Sequence, residues 1–249
     1  MAPKQDPVLC AGFQTRFTGR RIECRKRVRG VWSPWKGVKG LVKKLGRKAW
    51  PAFAYRDTRS KGGKDAARRG KGKRKIEGQL YMQGRRIGRR IDREITQWAN
   101  GDGRGDLHKM LPQTRNIVSA LEKIGMENIR TQLPVADPGA KLGTCIDILA
   151  DRKRDGALCV IEVKSGMDSF FETTRGLMKG PLHGVANSPE NQALVQLAAT
   201  VELFRRTYQV DKERKLRAWV IHTDFERTKV IKLPRWAELH GKELCDTKW

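Results

Sequence analysis

From about residue 79 onward the apolar positions recur with a helical period: Leu80, Gly84, Ile87, Ile91, Ile95 and Trp98 share one stripe. The polar, glycine-containing run 100–105 ends that predicted helix. A second helix is expected from Pro112 to Ile124, with Gly125 just past its last turn. The period then shortens. Ile129–Val135 reads as a strand followed by a turn at Asp137-Pro138-Gly139. Thr144–Ala150 and Ala157–Lys164 read as two strands joined at Asp155-Gly156, hence a hairpin. After a loop rich in Gly and Pro, Ser188-Pro189 supplies an N-cap and a proline at the first helical position. The helix it opens, Pro189 to about Tyr208, is expected to bury Leu194, Leu197, Val201, Phe204 and Tyr208. Arg217–Thr223 and Lys229–Leu233 complete the strands, and a short C-terminal helix follows. Helix, helix, three strands, helix, two strands is an α/β or α+β order.

Charge divides the chain. It has 249 residues and a formal net charge of +26, of which residues 1–76 hold 24 basic and 4 acidic side chains, a net +20. Residues 77–249 therefore have nearly ordinary globular composition, and 1–76 form a cationic extension. A charge block of this size at one end commonly meets a polyanion. Arg68, Arg69, Lys71, Lys73, Arg74 and Lys75 lie in a Gly- and Lys-rich stretch with almost no apolar content, suited to phosphate contacts. The same stretch, 61–75, has the form of a bipartite nuclear-import signal. Trp32, Trp35, Trp50, Phe53 and Tyr55 are interleaved with cations, and two readings stay open for them: stacking on bases, or packing as a small subdomain. Cys10, Cys24, Cys145, Cys159 and Cys245 form no metal-type pair, and their odd number points to a reducing, intracellular compartment, nucleus or cytoplasm. No apolar run approaches the roughly 18 residues of a membrane span, so no membrane partner is expected.

The predicted hairpin carries the chemistry. Side chains alternate along a strand, so Glu162 and Lys164 share a face while Ile161 and Val163 point the other way. The neighbouring strand places Asp147 among apolar residues. Two carboxylates held close repel unless a hard cation lies between them, and Mg²⁺, with its preference for oxygen ligands and retained waters, suits the pair. An amphipathic hairpin with a surface ion pair is the plainer alternative. An Asp, fourteen residues, then Glu-x-Lys on such a hairpin resembles the motif of the PD-(D/E)XK nuclease superfamily, although Ile146 stands where that motif has Pro.

The resemblance covers about residues 80–233 and implies an α/β, restriction-endonuclease-like core: a central mixed sheet flanked by helices, here with a basic N-terminal extension. It implies a Mg²⁺-dependent nuclease acting on nucleic acid, DNA foremost, with Mn²⁺ able to substitute. Asp147 and Glu162 would hold the metal, joined by the Val163 carbonyl, and Lys164 would assist the attacking water. Members often place an acid on the first helix. On a helical wheel Glu94 falls on the inward apolar stripe and Asp92 off it, so Glu94 is the expected acid, acting through a water or a second metal. Exonuclease-like members also carry a Gln on the helix after the motif, matched by Gln196. Thr200 stands where a Tyr often follows. Asn191, one turn earlier, would orient the site or contact nucleic acid. The rival readings are a non-catalytic nucleic-acid-binding or packaging protein on a degenerate nuclease fold, and a ribosome-type RNA binder.

Overall fold

The computed structural model describes residues 86–246 apart from 102–106, 138–141, 167–169, 172–175, 179, 211–212 and 226, together with the backbone of five short strands within the first 37 residues. Those strands are β1 (Val8–Leu9), β2 (Phe13–Phe17), β3 (Ile22–Lys26), β4 (Ser33–Pro34) and β5 (Lys36–Gly37). Helix α1 covers 86–99, and α2 runs Pro112–Lys123. Then come β6 (Met126–Asp137), β7 (Leu142–Arg152), β8 (Leu158–Ser165), α3 (Pro189–Thr207), β9 (Tyr208–Gln209), β10 (Leu216–Thr223), β11 (Thr228–Lys232) and α4 (Arg235–Asp246). The chain is thus an α/β protein built on a mixed sheet with helices on its faces.

Sheet order runs β11-β10-β8-β7, with β6 on the other edge of β7 and β5 beside the start of β7. Strand β7 runs antiparallel to both β6 and β8, as short connections require. Between β8 and β10 the pairing is parallel, because α3 carries the chain across. The alternation explains the layers. Leu158 and Val160 face one way, against Leu194, Leu197, Val201 and Phe204 of α3. Cys159 and Ile161 face the other way, against Ile91, Ile95 and Trp98 of α1 and Ile117 and Leu121 of α2. Both faces of the sheet are therefore dry, which accounts for the near-continuous apolar run of β8 up to Ile161.

Local signals acted where they stood. Ser188 caps α3, its Oγ accepting the Asn191 N–H at 3.1 Å. Gly125 follows α2 at φ 72°, and its N–H bonds Glu122 O at 2.9 Å. Strand β6 is longer than the predicted Ile129–Val135, because a bulge between Glu127 and Arg130, with Asn128 at φ 50°, lets it bend and continue pairing.

Helix α3 is buried from Ala193 to Val201 because α4 covers the side turned away from the sheet. The two helices meet at Gly241. A Cβ built there would lie 2.5 Å from the Ala198 carbonyl carbon and 2.8 Å from the Ala199 nitrogen. Backbone cannot yield as a flexible side chain would. Gly241→Ala should therefore cost about 1–3 kcal/mol by overpacking, read as a lowered thermal midpoint. An unchanged midpoint would mean that α4 does not seat at this depth.

Candidate active site

The ladder between β7 and β8 is short: Asp151↔Leu158, Ala150↔Cys159, Leu149↔Val160 and Ile148↔Ile161. One step further that register sets Asp147 opposite Glu162, and there the strands part. The start of β7 pairs instead with β5, at Leu142 and Gly143. The carboxylates thus sit at the mouth of a fork in the sheet. Asp147 has the parity of Leu149, and Glu162 and Lys164 have that of Val160, so all three belong to the α3 face.

Hydrogen bonds tie the cluster together. Asp147 Oδ2 accepts the Val163 N–H at 2.9 Å. Glu162, only 3% exposed, accepts at Oε1 from Lys164 Nζ at 2.5 Å and from Gln196 Nε2 at 2.6 Å. Lys164 Nζ also donates to Gln196 Oε1 at 3.1 Å. Gln196 therefore bridges the acid and the base from α3, and the Thr200 hydroxyl donates to the Gln196 carbonyl at 2.8 Å one turn on. Gln196 is the long-range member of the set, and the family resemblance is what singled it out.

Electrostatics follow from this crowding. Burial pushes the Asp147 carboxyl well above the usual carboxylate range, and the Glu162 charge adds to it; Lys164 and the Val163 N–H act in the opposite direction. Lys164 is raised as well. Burial opposes its charge, but Glu162 and Asp147 outweigh that cost. The ammonium is therefore held as a cation, a donor rather than a base in this arrangement.

Glu94 lies on the inward side of α1. It is buried, as its place on the stripe required, but both oxygens are committed to joining α1 to α2. Oε1 accepts from Arg90 Nε at 2.7 Å. Oε2 accepts from the Leu111 N–H at 3.0 Å and from Thr114 Oγ1 at 2.5 Å. Leu111 is the N-cap residue of α2 and makes no side-chain cap of its own, so Glu94 supplies it from another helix. Burial alone would raise the Glu94 pKa, and the bonds from Thr114, Arg90 and Leu111 bring it below its ordinary value. Glu94→Ala should leave Thr114 Oγ1 and the Leu111 N–H without that acceptor and destabilise the fold by about 1–3 kcal/mol. A variant that melts at the wild-type midpoint would mean that Glu94 does not tie α1 to α2.

The acid of α1 that acts on the cluster is Asp92, whose charge raises both Asp147 and Lys164. It is exposed. A wheel selects inward residues and so passed over it. A Cβ at Gly88, one turn earlier, would lie 3.9 Å from Ser165 Oγ, so this flank of α1 approaches the end of β8.

Asn191 is not brought to the cluster. Its Nδ2 donates to the Ala186 carbonyl at 2.9 Å and braces the loop before α3. Arg68, Arg69, Lys71, Lys73, Arg74 and Lys75 lie outside the described residues.

A divalent cation can be tested against this donor set. Among the described residues no group of three or more His, Cys, Asp or Glu side chains is arranged to hold a metal ion. A smaller set is present. Asp147 Oδ1 and Glu162 Oε2 make no hydrogen bond among the described residues, while their sister oxygens are engaged. The N–H and C=O of one strand residue leave on the same edge, so the Val163 carbonyl faces the fork that its N–H enters. Two carboxylate oxygens and a carbonyl fit Mg²⁺, which keeps several of its waters.

Cys145, Cys159 and Cys245 are free thiols, each pushed up to about 12, chiefly by burial. They are packing residues rather than nucleophiles. Among the described residues no helix is long and apolar enough to cross a membrane.

No protein family matches the chain, and no curated protein is significantly similar to it. Among solved structures, the crystal structure of SSO0001 is similar over 52% of this chain and 54% of that one, at 14% identity and a TM-score of 0.29. The chain thus spans about half the length of the solved chain it matches, and so distant a likeness carries no argument about fold or function.

Proposed function

We propose that the protein is a Mg²⁺-dependent nuclease of PD-(D/E)XK type that hydrolyses phosphodiester bonds in DNA. The observation that carries this is the fork itself: Asp147 stands opposite Glu162 where β7 and β8 part, with Lys164 and Gln196 bonded to the same Glu162 oxygen. A surface ion pair would not be 3% exposed at its acid, nor bridged by a buried glutamine. Two carboxylates held together at a buried position disfavour each other's charge, as the raised Asp147 pKa reflects, and a divalent cation would relieve this. A hairpin of this description in a mixed sheet with helices on both faces also agrees with the restriction-endonuclease-like core proposed from the sequence.

Asp147 Oδ1, Glu162 Oε2 and the Val163 carbonyl would hold the ion. When bound, Mg²⁺ supplies an activated water and offsets the charge that builds on the phosphodiester. Lys164 keeps its proton and donates: to Glu162 in the free protein, and to a phosphate oxygen or the incoming water when substrate is present. Gln196 fixes the distance between Glu162 and Lys164, so neither must reorganise when substrate arrives. The charge of Asp92 is also felt at Asp147 and Lys164.

The basic segment 1–76 would carry the sequence-independent hold on the polyanion. That charge also favours the rival, a binding protein with no catalysis. An assay panel separates them: the full chain with Mg²⁺ or Mn²⁺ on supercoiled, linear, single-stranded and branched DNA and on RNA. DNA cleavage supports the proposal. Tight binding to these substrates with no cleavage under either metal supports the rival.

A further inference from the structure

Strands β8 and β10 are parallel and in register through Lys164↔His222 and Ser165↔Thr223, so both end at the edge where the acidic cluster lies. The ends are tied by the Gly166 N–H, which donates to Thr223 O at 3.0 Å, and by a 3.3 Å contact between His222 Nε2 and Gly166 O. Phe170, 1% exposed, stacks on His222 with ring centroids 4.1 Å apart. Against that buried pair stands Phe171. Its ring lies 5.0 Å from Phe170 and 5.1 Å from His222, nearly perpendicular to both, and it is 40% exposed. Lys229 Nζ sits 4.3 Å from the centre of the Phe171 ring. The hairpin that carries Lys229 also presents Phe225, 68% exposed, and exposed Arg227 at its turn.

We propose that Phe171, Phe225 and Lys229 form a stacking site for an unpaired nucleobase of the substrate strand. Single exposed apolar side chains are ordinary. Here two exposed rings share one edge of the sheet with a lysine and an arginine, and one ring is backed by a buried aromatic stack that fixes its direction. A ring with a cation held over one face matches a nucleobase on the other face and a phosphate at the cation. Two rings are too small an area to hold a protein partner. A base inside a duplex shows only its edge, so the face-on contact selects single strands, overhangs and frayed ends. His222, which Phe171 abuts, is the register partner of Lys164, so the site lies at the same end of the sheet as the cluster. The choice of nucleic acid rests on the nuclease reading; the stacking does not depend on turnover.

The test uses the full chain in EDTA, where hydrolysis is absent, and an oligonucleotide bearing 2-aminopurine, either single-stranded or annealed to its complement. Stacking should quench the fluorophore in the single strand and in a 2-aminopurine overhang, but not within the duplex. Phe171→Ala combined with Phe225→Ala should abolish the quench and weaken single-strand binding roughly 5- to 150-fold, with Phe171→Trp restoring it. Lys229→Ala should weaken binding and flatten its salt dependence. Equal quenching and affinity in the wild type and the double alanine chain, both folded by circular dichroism, would overturn the proposal. A chain that quenches but never cleaves with Mg²⁺ keeps the stacking site and removes the nuclease reading. Wild-type single-strand cleavage kinetics in the double alanine chain removes the stacking site alone.

Discussion

Lys164→Met should lower the rate of DNA cleavage by about 10²–10⁴-fold, the usual contribution of one positioned proton donor. The methionine keeps the length of the side chain and removes the charge. Glu162 Oε1 then loses the 2.5 Å ammonium and keeps only the Gln196 amide. A buried carboxylate without its cation is destabilising, so the metal-free variant should melt below wild type. Added Mg²⁺ should restore stability, since the ion replaces the lost positive charge, but it should not restore the rate. A variant that melts low and cleaves normally would make the Lys164–Glu162 pair structural. DNA binding at low salt should change little, because most of the cationic charge lies in residues 1–76.

Asp147→Asn should have the opposite effect on stability and a similar effect on activity. The asparagine can still accept the Val163 N–H, which reaches Asp147 Oδ2 at 2.9 Å in the parent. It removes a charge that burial and Glu162 both disfavour. The metal-free variant should therefore melt higher, by about 2–4 °C for each 1 kcal/mol relieved. Mg²⁺ should raise the midpoint of the wild type and leave that of the variant nearly unchanged, because one hard anionic ligand is gone. Cleavage should fall with the lost ion. Two variants of one cluster, one melting lower and one higher, both inactive, form a pattern that a surface ion pair does not produce. Equal Mg²⁺ or Mn²⁺ binding by calorimetry in wild type and Asp147→Asn would remove Asp147 from the metal set.

The hairpin and its acid pair were legible because their signals are local, whereas Gln196, 32 and 34 residues from its partners, was reached only through the resemblance. Alternation places Glu162 and Lys164 on one face, and the Asp155-Gly156 turn brings Asp147 across from them. The end of α2 at Gly125 and the Ser188 cap of α3 were legible for the same reason: each uses residues within one turn of the helix end. Glu94 shows where that logic stops. A wheel states that the residue points inward, but not what it meets, and its partners at Leu111 and Thr114 lie 17 and 20 residues away. Asp92 was passed over because it acts from the flank, across a gap set by the packing of α1 on the end of β8. Strands β1 and β5 are two residues each and take their partners from β9 and β7. Segments that short carry no periodicity, so only the tertiary pairing defines them. Phe171 has no pattern either, and its role is set by His222, on a strand 51 residues further along the chain.

The central claim is that Asp147, Glu162 and Lys164 form one metal-dependent hydrolytic centre. It is tested most directly by stripping the full chain with EDTA, confirming that it stays folded, and following cleavage of end-labelled single- and double-stranded DNA as Mg²⁺ is added back. A Glu162→Gln chain purified in the same way stands beside it. The wild type should be inert without metal and gain activity along a saturable Mg²⁺ curve, while the Glu162→Gln chain stays inert at every concentration. Cleavage that persists in excess EDTA, equal activity in the Glu162→Gln chain, or a folded wild type that cleaves no DNA with Mg²⁺ or Mn²⁺ would contradict the account.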